Sequence, residues 1–387
     1  MKHQFRILFV LLVAFCLSCN TVTQINMNAK SDVISNHVDS ISFTYKKKIM
    51  VVDASVEDDQ GPHQFIFDTG AFYTKIEKHL ADDLKLPTVF TKSNSTAQGI
   101  TRKVEMTSAN KIRLANTTYQ NIAAGKLRYA KESYSPCLAE HGIIGANLIK
   151  LQNWKIDYQK QRLYFSNETF EEEKVGMNNA INFSTGFLSG IPEIEINIDG
   201  KTIENVLFDV GYNGGLVLPK KYAKLFDNTK SEIFLDKSTS GIFGSNLDTL
   251  EVKALEVTLG NSKSKIPVEF SSLNKALLGN DVLEHFKVYI NYNDEKITLV
   301  PVSPITLDEP KKFIPGILND SLWVVNRIHE KVPLKIGDTL KSINGYTPKE
   351  LFKSHCDYFL NASSLVGQKT VIIKSLNDSI ININGSL

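Results

Sequence analysis

Four cysteines in 387 residues are too few for a disulfide framework, and two of them, Cys16 and Cys19, fall in an N-terminal apolar segment. Cys137 and Cys356 stand far apart in the chain and read as two buried thiols. The apolar run Ile7 to Leu17 is too short to span a bilayer as a helix. Charge of neither sign dominates, with 44 Lys and Arg against 42 Asp and Glu, which disfavours a nucleic-acid partner. The 8 histidines include no His-Glu-x-x-His motif and no clustered Cys/His spacing, so no metal site is expected. Gly-x-Ser-x-Gly and Gly-x-x-x-x-Gly-Lys-Ser/Thr are also missing, which removes the common serine-hydrolase and nucleotide-binding signals. No cofactor is expected.

What is present reads as a β-rich globular chain. The hydrophobic fraction of 42% and charged fraction of 22% are ordinary for a soluble protein, and Val, Ile and Thr recur in short alternating runs. The length suits two or three units, each with its own core. Met1, Lys2 and Arg6 lead into Ile7 to Leu17, and Ser18 precedes Cys19. This segment resembles a bacterial lipoprotein signal, which implies removal of residues 1–18, lipidation of Cys19 and a membrane anchor in the cell envelope. The competing reading is a plain secretory signal with a chance cysteine. Removing Lys2 and Arg6 brings the basic residues level with the acidic ones. Residues 19–40 are polar and lack a period, so they read as a flexible tether.

From about Ile41 to Val300 the chain passes twice through one pattern. Gln64-Phe65-Ile66-Phe67-Asp68-Thr69-Gly70-Ala71 answers Asn205-Val206-Leu207-Phe208-Asp209-Val210-Gly211-Tyr212. Alternating stretches precede both, Met50 to Val56 and Ile194 to Ile198, and Asp199-Gly200 predicts a hairpin turn in the second. Ser/Thr/Gly segments follow, Ser95 to Ile100 and Ser238 to Ile242, and then Ala109 to Asn116 aligns without a gap on Ala254 to Asn261. Ile143-Ile144-Gly145 answers Leu277-Leu278-Gly279, and Lys155-Ile156-Asp157-Tyr158 answers Tyr289-Ile290-Asn291-Tyr292. A single Asp-Thr-Gly is common turn chemistry, whereas five landmarks in one order are specific.

The double pattern resembles the aspartic peptidase family of pepsin and the retroviral proteases, in its bacterial retropepsin-like branch. The resemblance implies a mainly β protein with two pseudo-symmetric acid-protease lobes, residues 41–170 and 178–302, around one cleft. It implies catalytic Asp68 and Asp209, loop support from Thr69, Gly70, Val210 and Gly211, and a brace at Gly145 and Gly279. Gln98, Gly99, Gly241 and Phe243 would lie in flaps over an extended peptide or unfolded protein, with ordinary hairpin tips as the alternative. Two adjacent carboxyls cannot both ionise, so they share a proton and supply base and acid together. Val210 departs from the pattern, because it has the volume of threonine without the hydroxyl. Two functional readings follow: an aspartic endopeptidase, and a catalytically degenerate peptide-binding or scaffold lipoprotein. Glu171-Glu172-Glu173-Lys174 reads as the solvated connection between lobes.

Pro301, Pro304 and Pro310 mark a linker to a small α/β module at residues 311–387. The Gly337-Asp338 turn and Ile343-Asn344-Gly345 resemble the PDZ family. That resemblance implies binding of a peptide C-terminus at a carboxylate loop containing Phe313, Ile314, Gly316 and Ile317. Pro315 removes one amide there, and a structural cap on the lobes is the alternative. Pro348 to Phe359 reads as helical.

Overall fold

The computed structural model describes residues 22–35, 38–59, 61–96, 99–175, 179–186, 188–239, 241–318, 321–362 and 370–384. The N-terminal segment with Cys19, and Gln98, lie outside the described residues. The protein is mainly β, at 50% strand against 14% helix. The strands follow the alternation of the sequence: Pro192–Ile198 buries every second residue, as a strand with one covered face must. Asp199 and Gly200 both take positive φ, 47° and 76°, the geometry of a two-residue hairpin turn.

The two passes of the sequence fold alike. His63–Phe67 runs parallel to Gly142–Ile144, and Lys201–Phe208 runs parallel to Ala276–Leu278. Thr74–Glu77 lies parallel to Thr117–Leu127, as Leu216–Pro219 does to Ser262–Ser271. A third sheet joins the halves: Ala180–Thr185, Lys296–Pro301, Phe286–Asn291, Asn153–Asp157, Arg162–Ser166 and Asp39–Lys46, in that order, all antiparallel. At its centre Lys155 pairs with Tyr289, the residue that the repeat sets equivalent to it. Likewise Trp154↔Ile290 and Ile156↔Val288 exchange under the repeat, so a pseudo-twofold axis passes through this pair of strands. One apolar core containing Phe67, Trp154, Phe208 and Val288 runs through both halves. The C-terminal unit has its own, built on Phe313, Trp323, Ile343, Tyr358 and Ile373.

Several expectations are overturned. Residues 22–29 form a helix and Asp32–Ile34 pairs with Thr117–Leu127, so the tether is ordered from residue 22 to 34. Its order comes from a few contacts that a polar composition hides, among them Met27 packing beside Tyr73 and a buried Asn28 amide donating to the Tyr73 hydroxyl at 3.2 Å. Cys137 and Cys356 are not free thiols. They form a disulfide with Cα atoms 5.1 Å apart, because the C-terminal unit folds back against the first lobe. Phe313, Ile314, Gly316 and Ile317 belong to the strand Phe313–Leu318, paired with Leu322–His329, and form no carboxylate loop. Phe313 is core, Pro315 falls at a register shift where its missing N–H costs no ladder bond, and the Tyr358 hydroxyl donates to the Pro315 carbonyl. The C-terminal helical stretch is two helices, Pro348–Leu351 and His355–Asn361, because Phe352 turns extended and packs on Trp323 and Tyr358. Glu171–Val175 is a short helix whose Glu173 is buried near Asn291 rather than solvated.

Candidate active site

Each Asp loop emerges from the end of a central strand. The Asp68 N–H donates to the Ile144 carbonyl and the Asp209 N–H to the Leu278 carbonyl, both at 3.0 Å, so the brace holds the two loops identically. Asp68 Oδ1 accepts from the Gly70 and Ala71 N–H groups at 2.8 and 2.9 Å, and Asp209 Oδ1 accepts from Gly211 N–H at 2.8 Å. The two carboxyl groups hydrogen-bond to each other and are half-buried. A Cβ on Gly70 would overlap the Asp209 carboxylate, and one on Gly211 would overlap that of Asp68. Only glycine lets each loop approach the other's acid this closely.

Residues 52–148 match the aspartyl protease family. The match covers most of the first lobe, including Asp68, Thr69, Gly70 and Gly145, and supports a protease-like function for it. No curated protein matches the chain. The second lobe, which repeats the first strand for strand, supplies the other acid.

The expected cross-loop contact is made from one side. Buried Thr69 Oγ1 donates to the Phe208 carbonyl at 2.6 Å and accepts from Val210 N–H at 3.0 Å. Val210 is fully buried and offers no hydroxyl in return. Its carbonyl instead accepts from Asn280 Nδ2 at 2.7 Å, and Asn280 is held by the Tyr158 hydroxyl at 2.7 Å and the Lys48 carbonyl at 2.6 Å. Asn280 thus links the second Asp loop to the first lobe by a different route, between the Val210 and Lys48 carbonyls. Thr69→Val is expected to lose about 1–3 kcal/mol, since it strands a buried carbonyl and a buried N–H. Val210→Thr should change stability by at most about 1.5 kcal/mol, the net scale of one added intramolecular hydrogen bond. Urea unfolding of the two variants checks both; a Thr69→Val protein as stable as wild type would refute the tie.

Burial and the charge of Asp68 push the Asp209 carboxyl well above the usual carboxylate range. Burial also raises Asp68, but Lys75 and the Ala71 and Gly70 amides work against it. The pair therefore titrates as one unit holding a shared proton, with Asp209 the more strongly raised of the two. A Cβ on Gly145 would meet Tyr73 backbone at 2.5 Å, and one on Gly279 the Gly214 carbonyl at 2.5 Å, so both brace glycines are close-approach positions.

The flap expectation divides. Gly99 lies at the tip of the hairpin Phe90–Ser95 and Thr101–Leu114, with open space around it. Gly241 and Phe243 instead pack onto the first lobe: the Gly241 carbonyl accepts from Ser133 Oγ, the Ile242 carbonyl from Ala130 N–H, and Phe243 is buried under Arg102. Phe359 and Leu360 of the C-terminal unit lie against the cluster that includes Ile49 and Ala71, next to the Asp68 loop. That unit therefore walls one end of the cleft. A cavity of about 210 Å³ at this junction is lined by Lys47, Tyr134 and Phe359 but by neither acid. Tyr73, Lys75, Asn280 and the helix 22–29 belong to the site's surroundings without any signal in the repeat. Asn280, which follows the Leu277-Leu278-Gly279 brace directly, was the most readable of them.

Proposed function

We propose that the protein is an aspartic endopeptidase acting on extended or unfolded polypeptide in the cell envelope. The observation that carries this reading is the carboxyl pair, two acids on symmetry-related loops, each held against the other's glycine. Asp68, the ionised member, takes a proton from water as its oxygen adds to the scissile carbonyl carbon. Asp209 gives its proton to the carbonyl oxygen. The tetrahedral diol then collapses, the C–N bond breaks, and a proton passes to the departing amine. Cleavage of a diverse peptide library by the mature protein, from mildly acidic to neutral pH, tests the assignment. Products that vanish in Asp68→Asn support it, and no cleavage across the range sinks it.

The one-sided tie at Val210 favours a second reading, peptide binding without turnover. Saturable binding of library peptides that emerge uncut would select it. The Leu17-Ser18-Cys19 sequence motivates the proposed lipid anchor. Cys19→Ser is expected to move the protein from the membrane fraction to the soluble one, and unchanged membrane retention would overturn the anchor.

A further inference from the structure

Lys75 acts on Asp68 through its field, but its buried amine makes no contact that the mechanism above uses. In Thr74–Glu77, Ile76 enters the main core and Thr74 turns to Asn147, with its N–H and hydroxyl at 2.7 and 3.1 Å from Oδ1. Alternation therefore sends Lys75 to the opposite face, where its stem passes Gly125, beside Val104 and Met106. That face carries the apolar cluster of Tyr73, Val104, Met106 and Phe243 next to the Asp68 loop. Lys75 is 6% exposed, and among the described residues its amine donates to one acceptor, the Tyr73 carbonyl, at 3.3 Å. Burial pushes its amine below the ordinary lysine range, the charge of Asp68 works against that, and it forms no ion pair with any described residue. A second cation, Lys92, sits 4.5 Å over the Tyr73 ring.

The fold does not require this charge. Lys75 pairs antiparallel with Ile143 and parallel with Gly125, and in the second lobe Val217 pairs antiparallel with Leu277 and parallel with Glu269. Val217 is thus the symmetry mate of Lys75, and it sits in an apolar cluster with Leu207 and Leu277. One lobe fills the position with valine, while the other buries an amine that contacts no anion among the described residues. Burial disfavours the charged form of this amine, and a carboxylate brought into contact with it would restore that form.

We propose that Lys75 is the floor of a side-chain subsite that receives a carboxylate of the substrate, so that the cleft selects peptides with Asp or Glu beside the bond to be cut. The proposal rests on the peptidase reading of this cleft. The substrate carboxylate completes the hydrogen bonding of the ammonium, and Lys92 adds to the positive field.

Binding and turnover are measured separately. Hydroxyethylene peptide isosteres, which cannot be cleaved, carry Glu, Gln or Leu at each position from three before to three after the isostere. At one position the intact protein is expected to bind Glu about 10-fold or more tighter than Gln, the scale of a charge-assisted hydrogen bond. The preference should disappear in Lys75→Met and persist in Lys75→Arg. Lys75→Met should also melt higher than wild type, since it removes a buried, poorly hydrogen-bonded amine while keeping the stem, so a failure to fold is separately visible. Equal Glu and Gln affinities at every position, no isostere binding, or a preference untouched by Lys75→Met overturns the subsite. A change in affinity that is uniform across Glu, Gln and Leu also overturns it, and shows that Lys75 acts only on Asp68. Cleavage of the matching natural peptides tests the peptidase reading by itself: Lys75-dependent Glu preference without cleavage keeps the subsite and removes the peptidase.

Discussion

Asp68→Asn should lower kcat by about 1000-fold or more while leaving the protein folded, because it removes the base and keeps the shape. The amide oxygen of the substituted side chain can still accept from Gly70 and Ala71 N–H, the bonds that hold the wild-type carboxylate. Turnover needs Asp68 charged and Asp209 protonated. Activity should therefore fall toward acid as Asp68 gains a proton and toward alkali as Asp209 loses one. Both folded-state values lie above the ordinary 3.8, so the optimum is displaced from the usual carboxylate range toward neutral pH. The same shifts carry a sign for stability. The folded state holds the dyad proton more tightly than the unfolded chain, so this contribution is full below about 3.8 and is lost as pH rises through the raised values. Asp209→Asn cannot ionise, so it should gain melting temperature relative to wild type as pH rises. A kcat/KM profile with thermal unfolding, taken from acid to mildly alkaline pH, checks both statements. An Asp68→Asn enzyme within tenfold of wild type would remove Asp68 from the chemistry.

Cys356→Ser is expected to cost about 2–5 kcal/mol, because the Cys137–Cys356 bond closes a loop with a sequence separation of 219 residues. The loss should not be uniform. The bond ties Ser135–Leu138, on the wall of the first lobe, to the helix His355–Asn361, where Tyr134 also stacks on His355 and Phe359 at 4.2 and 4.6 Å. Residual docking survives through the pairing of Ser231–Asp236 with Leu322–His329 and the Arg327–Glu269 ion pair at 2.9 Å. Limited proteolysis should therefore cut first around residues 352–362 in the variant, with the lobes intact. An unchanged melting temperature in Cys356→Ser, compared with wild type under oxidising conditions, would show that the crosslink adds nothing to a unit already held.

The repeat was legible because its landmarks are local. A strand of alternating residues, an acidic turn and an apolar-apolar-Gly brace each follow from neighbours in the chain, and their recurrence carries a two-fold relation that the Lys155–Tyr289 pairing makes concrete. The disulfide was not legible, since two cysteines so far apart meet only when the C-terminal unit docks. The order of residues 22–34 was hidden for a similar reason. Its polar composition resembles a linker, and what fixes it is a strand edge and the Tyr73 hydroxyl, supplied from elsewhere.

Sequence alone determined the mainly β class, the duplicated half-site and the departure at Val210, because each is written in residue type and short-range period. Only the tertiary structure decided that Asn280 links the Val210 and Lys48 carbonyls, that the second Ser/Thr/Gly segment packs on the first lobe, and that Lys75 lies buried without an anion in contact among the described residues. Those properties depend on which surfaces meet across the pseudo-twofold and around the cleft. The energies at stake, unpaired buried charge and satisfied buried carbonyls, exist only once those surfaces have closed.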